Sequence, residues 1–588
     1  MNKKDILDKI KTLDGLSNDE KAYLVNLVNT KKKYGLVWED KPEQVEEELR
    51  TKLPILKEVK ERAIINDTET EKHPNHILIE GDNLHALTAL TFTHEGKIDV
   101  IYIDPPYNTG NKDFKYNDSF VDREDSYRHS KWLSFIHKRL IIAHKLLADD
   151  GVIFISIDDN EHAQLKMLCD EIFGTNNFID NIIWEKNYAP RNDATYFSAS
   201  HDFVVVFKKG NWQRKLEPRT EAQNKPYKHN DNNGRGLYRT DNVLVKTFSK
   251  TGVFPVTNPN TGKAYMPPEG SCWRFSKDSF ELRIKENRIY WGKDGKGAPQ
   301  VKRYLNEVKQ GSVPQTIWKY DIAGHTQDGK NELKEMQLTS RAFETPKPLK
   351  LIKRILNFEF KPDAIILDFF AGSGTTLNAA MLLNETDGSS RQCILVTDNE
   401  NNIAEEVTYE RNKRVIKGYT NAKGQEIEGL KKNNLRYYQC DFVDREPNLS
   451  NKRKLTKLVT ELLCIKEDCY TETTKEIGKH SWHKLFTNGS GQYVYVVYDD
   501  FYIEDAVEAL QAFITKKGKE IEVKVYVFAN GQYAYTEEFE EIAKNITLAA
   551  LPDAIYKAYQ NVLPKVNKEF VPELEEETTG APEIDFEA

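Results

Sequence analysis

Asp104-Pro105-Pro106-Tyr107 is the tetrapeptide best suited to chemistry in this sequence: an acid, two prolines and an aromatic directly behind the apolar run Ile98 to Ile103. A carboxylate and the Pro105 carbonyl are two acceptors, while the prolines stiffen the backbone and supply no N–H donor. The Tyr107 ring offers a flat face. Such a set suits a planar amine. An exocyclic amino group on a base is a poor nucleophile because its lone pair is delocalised into the ring, and two acceptors gripping its hydrogens draw that pair out of conjugation. A ring stacked on the base is worth about 1 to 3 kcal/mol, and the base must first leave its duplex.

A second stretch, "ILDFFAGSGTT", sets a strand ending at Asp368 against a tight turn with Phe370, Gly372 and Gly374, followed by a helix. Glycines there let a ligand approach the backbone, and the helix amino terminus presents free N–H groups. No Gly-Lys-Ser/Thr follows, which excludes a P-loop. The Gly-x-Gly-x-x-Gly spacing of a dinucleotide fingerprint is absent too. One strand further on, Asp398 follows "ILVT", where an acid can hold a ribose hydroxyl.

These motifs need a frame. "HILIEGDN", "IDVIYIDPPY" and "GVIFISIDD" read as short strands separated by helical stretches such as "KWLSFIHKRLIIAHKLL". Strands alternating with helices predict a parallel α/β sheet, and open sheets of this kind place ligands at the carboxyl ends of their strands. The expected organisation is a helical extension over 1–70, whose capping pattern is Ser17 to Glu20, then one half of the α/β core over 71–207. An inserted loop-rich domain over 208–340, the other half of the core over 341–445, an α/β domain over 446–565 expected to serve dimerisation and partner docking, and a disordered acidic tail over 566–588 complete the chain. In the domain after 446, Ile503, Ala506, Val507, Leu510, Phe513 and Ile514 recur at helical spacing, so one helix face is expected to be buried.

Composition narrows the class. The 588 residues are 39% hydrophobic and 30% charged, and no apolar stretch approaches the roughly 20 residues that a membrane span needs. With no apolar leader at the amino terminus, the cytoplasm is the expected location. Six cysteines are too sparse for a disulfide framework. Cys464, Cys469, His480 and His483 form the one set worth testing as zinc ligands, and the expectation is no metal. The net charge of −8 hides a contrast: residues 208–340 hold 25 basic and 14 acidic side chains, whereas 569–588 hold 8 acids and no base. A basic block in an acidic chain predicts a local polyanion-binding surface.

Together "DPPY" and "DFFAGSGTT" resemble the amino-methyltransferases that use S-adenosylmethionine, and their order resembles the β class. The extended "DPPYNTG", "KYGLVWE" at 33–39 and "FETPKPLKLI" at 343–352 resemble the modification subunit of type III restriction systems. The resemblance covers roughly residues 30 to 445. It implies a doubly wound, Rossmann-like, circularly permuted methyltransferase core in which 208–340 is a target-recognition domain. It also implies S-adenosylmethionine as cofactor, with the glycine loop (Asp368, Phe370, Gly372, Gly374) around its methionine part and Pro346, Lys347 and Pro348 as a further contact. Asp398 would hold the ribose and Asp82 would face the adenine. Methyl transfer to adenine N6 in double-stranded DNA is implied, with Asp104 and Tyr107 at the amine. Other implications are a homodimer and a helicase-nuclease restriction subunit as partner. A solitary amino-methyltransferase, including one acting on cytosine N4, and a non-catalytic DNA-binding scaffold are the alternatives.

Overall fold

A computed structural model describes residues 36–190, 192, 194–338, 345–518 and 521–564, with residues 9, 10, 13 and 21. Ser17 and Glu20, most of residues 1–35 and the acidic tail lie outside the described residues; the described part of the expected helical extension is helical over Gln44–Thr51 but becomes a strand of the large sheet over Lys52–Glu58.

Apolar runs in the chain become strands of one ten-stranded sheet. They are β1 (Lys52–Glu58), β2 (Asn75–Glu80), β3 (Ile98–Ile103), β4 (Leu147–Ile157), β5 (Phe178–Glu185), β6 (His201–Lys208), β7 (Ile317–Trp318), β8 (Ile365–Asp368), β9 (Gln392–Thr397) and β10 (Asn434–Asp444). Their order across the sheet is β1-β10-β2-β9-β8-β3-β4-β6-β5-β7. The six strands from β10 to β4 are mutually parallel. Antiparallel partners flank them, β1 on β10 and β6 between β4 and β5. All six residues of β3 are buried, as expected of a parallel strand covered on both faces.

Helices that accompany the sheet include α1 (Gln44–Thr51), α2 (Asn83–His94), α3 (Arg128–Leu146), α4 (His162–Phe173), α5 (Thr326–Glu335), α6 (Leu349–Leu356), α7 (Thr375–Asp387) and α8 (Glu410–Lys417). Leu87, Leu140 and Leu165 of α2, α3 and α4 belong to one apolar cluster, and Leu351, Leu377 and Ile416 of α6, α7 and α8 to another. Helices thus cover both faces, the doubly wound arrangement. From β3 the chain steps to β4 on one side, and from β8 to β9 on the other. Neighbouring strands β3 and β8, with Leu367 opposite Ile101, are therefore the switch point at which a crevice opens beyond the strand ends.

Residues 214–315 form a separate compact unit. It is built on a four-stranded antiparallel sheet and a core that includes Trp273, Phe280 and Trp291. It carries 20 basic and 10 acidic side chains. Its limits are narrower than 208–340 because β7 pairs with β5 and Leu333 and Met336, in and just after α5, pack in the core of the large sheet.

After β10 come α9 (Leu449–Leu458) and α10 (Thr460–Glu467), then a five-stranded sheet of β11 (Thr471–Glu472), β12 (His483–Thr487), β13 (Gln492–Val497), β14 (Glu522–Phe528) and β15 (Ile546–Leu551). Helices α11 (Ile503–Lys517) and α12 (Asp553–Tyr559) complete it. Ile503, Ala506, Leu510, Phe513 and Ile514 are buried against this segment's own sheet, with Val507 partly buried beside them. That face is internal packing and is not offered to a partner. On the sheet's other side, Leu455, Leu462 and Leu463 share a cluster with Leu87 and Leu90 of α2, and the Tyr559 hydroxyl donates to the Pro54 carbonyl at 2.8 Å. Residues 446–564 accordingly fall in the same compact unit as the large sheet.

His483 donates and accepts within the protein, with Nδ1 2.7 Å from the Tyr495 hydroxyl and Nε2 2.7 Å from the Gly478 carbonyl. Cys464 and Cys469 are buried. Among the described residues no group of three His, Cys, Asp or Glu side chains could hold a metal ion. No described helix is long and apolar enough to cross a membrane.

Candidate active site

A cleft of about 1180 Å³ opens beyond the ends of β3 and β8. Asp104, Pro105, Pro106 and Tyr107 line it from β3, and Phe370 and Gly372 from β8. Asp82 contributes from the end of β2, Asp398 from the end of β9, and Pro346 and Lys347 from the segment before α6. Ten residues singled out in the sequence thus border one cavity. Three others, Pro348, Asp368 and Gly374, do not line it.

Each of the three has a different task. Asp368 is buried beneath the turn it precedes, accepting from the Thr376 hydroxyl at 2.5 Å and the Phe370 N–H at 3.1 Å. Burial pushes its carboxyl up to about 7. Gly374 has φ +71°, and a Cβ there would meet the Asn412 amide and the Thr408 side chain, 3.1 Å away at Cγ2. Its missing side chain lets the turn pack against Asn412 of α8 and Thr408 before it. Pro348 caps α6.

The glycine turn is braced from behind. The fully buried Arg411 donates to the Thr375 hydroxyl at 2.7 Å, the Ser373 hydroxyl at 3.2 Å and Glu332 at 3.1 Å. Glu332 in turn accepts from the Leu349 N–H at 2.9 Å. One ion pair therefore ties the turn after β8 to the segment that carries Lys347.

Lys347 faces the reacting end. Its ammonium donates to both Asp104 oxygens at 2.6 Å and lies 5.1 Å from the Tyr107 ring centre. The Trp132 indole N–H of α3 donates to the Pro106 carbonyl at 2.7 Å, pinning the turn. Burial, reinforced by the Asp104 charge, raises the Tyr107 hydroxyl well above its ordinary value, so the ring stays neutral.

At the other end Asp82 caps α2, accepting from the Leu84 N–H at 2.7 Å. Burial raises the Asp398 carboxyl, which accepts from the Glu400 N–H at 3.0 Å. Glu400 pairs with Lys115. Sequence reasoning passed over this floor's main support, the buried Arg139, which pairs with Glu43 at 2.9 Å and donates to Asn83. An arginine inside the apolar run of α3 was the available signal, since buried charges are paired. Lys186, just after β5, and Asp202 of β6, paired at 2.5 Å, also line the cleft and were missed. Nothing in their local pattern marks them.

The arrangement brings a carboxylate and a flat ring to one end of a cavity whose other end is edged by acids and a glycine turn. It can hold a planar amine against a second ligand that carries positive charge.

Comparison with known proteins agrees with this geometry. The profile of the DNA methylase family matches residues 98–417. The StyLTI Mod subunit, a type III restriction-modification enzyme subunit of Salmonella typhimurium, is 36% identical over 374 residues, 58% of this chain and 56% of that protein. The EcoPI Mod subunit of Escherichia phage P1 is 32% identical over 420 residues, 63% of this chain and 64% of that one. The chain thus spans about six tenths of the length of these two relatives. The type II methyltransferase M.KpnI of Klebsiella pneumoniae is 36% identical over 363 residues, 58% of this chain and 84% of its own length. With its family profile spanning both strands of the switch point and the turns that follow them, this chain belongs to the DNA methylase family.

Proposed function

We propose that the protein transfers a methyl group from S-adenosylmethionine to the N6 amine of adenine in double-stranded DNA, as the modification and recognition subunit of a type III restriction-modification system. The observation that carries this reading is the single cleft shared by the Asp104–Tyr107 turn and the Phe370–Gly372 turn, at the ends of adjacent strands. The donor set suits the cofactor. Asp82, Asp398 and Glu400 edge one end and would repel the phosphates of a dinucleotide, but they fit a nucleoside's hydroxyls and amine and a cationic sulfur. Phe370 offers an apolar face, and Lys347 a partner for a carboxylate.

When bound, S-adenosylmethionine supplies a methyl group on a sulfonium, a good leaving group. The protein's own residues do the rest. Asp104 accepts a hydrogen bond from the target amine, turns its lone pair out of the ring plane and receives the proton that the amine sheds. The Pro105 carbonyl grips the second hydrogen. Tyr107 stacks on the flipped base, and Trp132 keeps the turn from yielding under it. The basic unit 214–315 supplies phosphate affinity and reads base edges. A second copy of the chain and a helicase-nuclease subunit are the partners this reading assigns.

Modification-sensitive long-read sequencing of DNA from cells expressing the protein tests it. N6-methyladenine at one short sequence supports the proposal. N4-methylcytosine, or no modification alongside tight DNA binding, overturns it. Exchange of residues 214–315 for those of a relative should change the modified sequence.

A further inference from the structure

Asn108 directly follows the Asp104–Tyr107 turn, is 1% exposed and has φ 58°, a left-handed conformation that asparagine tolerates better than most residues. Its amide donates in two directions: to the Arg128 carbonyl at the start of α3, 3.2 Å away, and to Glu161 Oε1 at 2.6 Å. Glu161 precedes α4 and is 0% exposed. It does not line the cleft, and nothing in the reaction as derived above uses it.

A buried carboxyl with no catalytic task needs an explanation, because burying one costs free energy unless its hydrogen bonds repay it. Here they converge on one atom. The Arg128 Nε–H donates to His129 Nε2 at 3.2 Å. His129 Nδ1 lies 2.7 Å from Glu161 Oε1, beside the Asn108 amide, and 3.3 Å from Gln164 Nε2. The second oxygen, Oε2, has no hydrogen-bond partner among the described residues. Glu161 Oε1 is therefore held against His129 and accepts from the residue after Tyr107. With Trp132 holding the Pro106 carbonyl, the turn is fixed on both sides of the stacking ring.

Resting on the methyltransferase reading above, we propose that Glu161 is a positioning residue for methyl transfer: it holds the Asp104–Tyr107 turn in register through the Asn108 side chain. The amine and the methyl donor must meet within a fraction of an ångström, and a misplacement of about 1 Å costs on the order of 100-fold in rate. Removing Glu161 leaves the Asn108 amide with the Arg128 carbonyl alone, and the turn loosens, while the cofactor end, built on β2, β8 and β9, is untouched.

The test uses the full chain with Glu161→Ala, Glu161→Gln, Asn108→Gly and the double variant Asn108→Gly/Glu161→Ala. Glycine accommodates the left-handed backbone, so Asn108→Gly removes the contact without adding strain. Two quantities are read: the single-turnover transfer rate against S-adenosylmethionine affinity, and hydrogen exchange of the amides at Tyr107, Asn108 and Thr109. Glu161→Ala and Asn108→Gly should each lower the rate about 100-fold and leave cofactor affinity within about threefold. Exchange at the three amides should rise about tenfold as the turn opens locally. Glu161→Gln keeps the acceptor and should restore most of both, and the double variant should be no worse than either single one. Parent-like rate and exchange in Glu161→Ala, additive losses in the double variant, or Glu161→Gln as impaired as Glu161→Ala would overturn the proposal. If the parent transfers no methyl group at all, the methyltransferase reading falls, and the exchange measurement still decides whether Glu161 holds the turn.

Discussion

Lys347 donates to both carboxylate oxygens of Asp104 at 2.6 Å, joining two residues 243 positions apart. The pair is largely shielded, with 12% and 19% of the respective side chains exposed. It aims the carboxylate and fixes the charge beside Tyr107. Removing one partner of such a pair typically costs about 2 to 5 kcal/mol. Lys347→Met should therefore slow transfer at least tenfold. Asp104→Asn should abolish it, since the amide cannot take the proton. Labelled methyl transfer to DNA measures both, and an Asp104→Asn variant at parental rate would remove Asp104 from the mechanism.

Asp368 predicts a pH dependence. Burial pushes its carboxyl up to about 7, against the pull of the Thr376 and Phe370 hydrogen bonds. A cation in the cleft favours the ionised form, so affinity for S-adenosylmethionine should rise as pH climbs through about 7, by up to about tenfold per unit of pKa displaced. S-adenosylhomocysteine lacks the sulfonium and should show less dependence, and Asp368→Asn should flatten it. The same raised value costs fold stability as pH increases from about 4, the unfolded value, to about 7. Calorimetry at pH 6 and pH 8 decides; equal slopes for the two ligands would disconnect Asp368 from the cleft.

The two turn glycines should separate. Gly372 borders the cleft with φ +47°, so Gly372→Val should cut cofactor affinity more than about tenfold, as a β-carbon both strains the backbone and narrows the cavity. Gly374→Ala pushes into Asn412 and Thr408 and should instead lower stability by about 1 to 3 kcal/mol. Thermal melts and titrations on the same samples separate the two effects.

Leu462 should behave as a residue of the methyltransferase core although it follows every motif. It is fully buried in the cluster shared with α2, so Leu462→Ala should cost about 2 to 5 kcal/mol. Truncation after residue 445 should leave a protein that aggregates, because Leu87 and Leu90 lose their cover. A soluble, cofactor-binding truncation would show that α2 is stable without it.

What could be read from the sequence was local. Asp104 announces itself by standing behind the mostly apolar strand Ile98–Ile103 with two prolines after it, and Gly372 by following a strand that ends in an acid. Their meeting depends on β3 and β8 being neighbours, which motif order alone leaves open. Gly374 looks identical to Gly372 in sequence, and only the position of Asn412 separates a packing glycine from a cleft glycine. Glu161 reads as one more acid in "IDDNE", since its burial and its partner Asn108 are set by how α3 and α4 cross the strand ends. Likewise the stripe from Ile503 to Ile514 says that a helix face is buried but not against what.

The position of β10 between β1 and β2 bears on how the chain is made. A ribosome adds about 5 to 20 residues per second, so β1 and β2 leave the exit tunnel and then wait roughly 20 to 80 s for residues 434–444. During that interval both strands keep unpaired edges that invite pairing with other nascent chains. Slow, non-local pairing of this kind also delays refolding, so yield during expression should depend on trigger-type chaperones and lower temperature far more than the stability of the finished protein does.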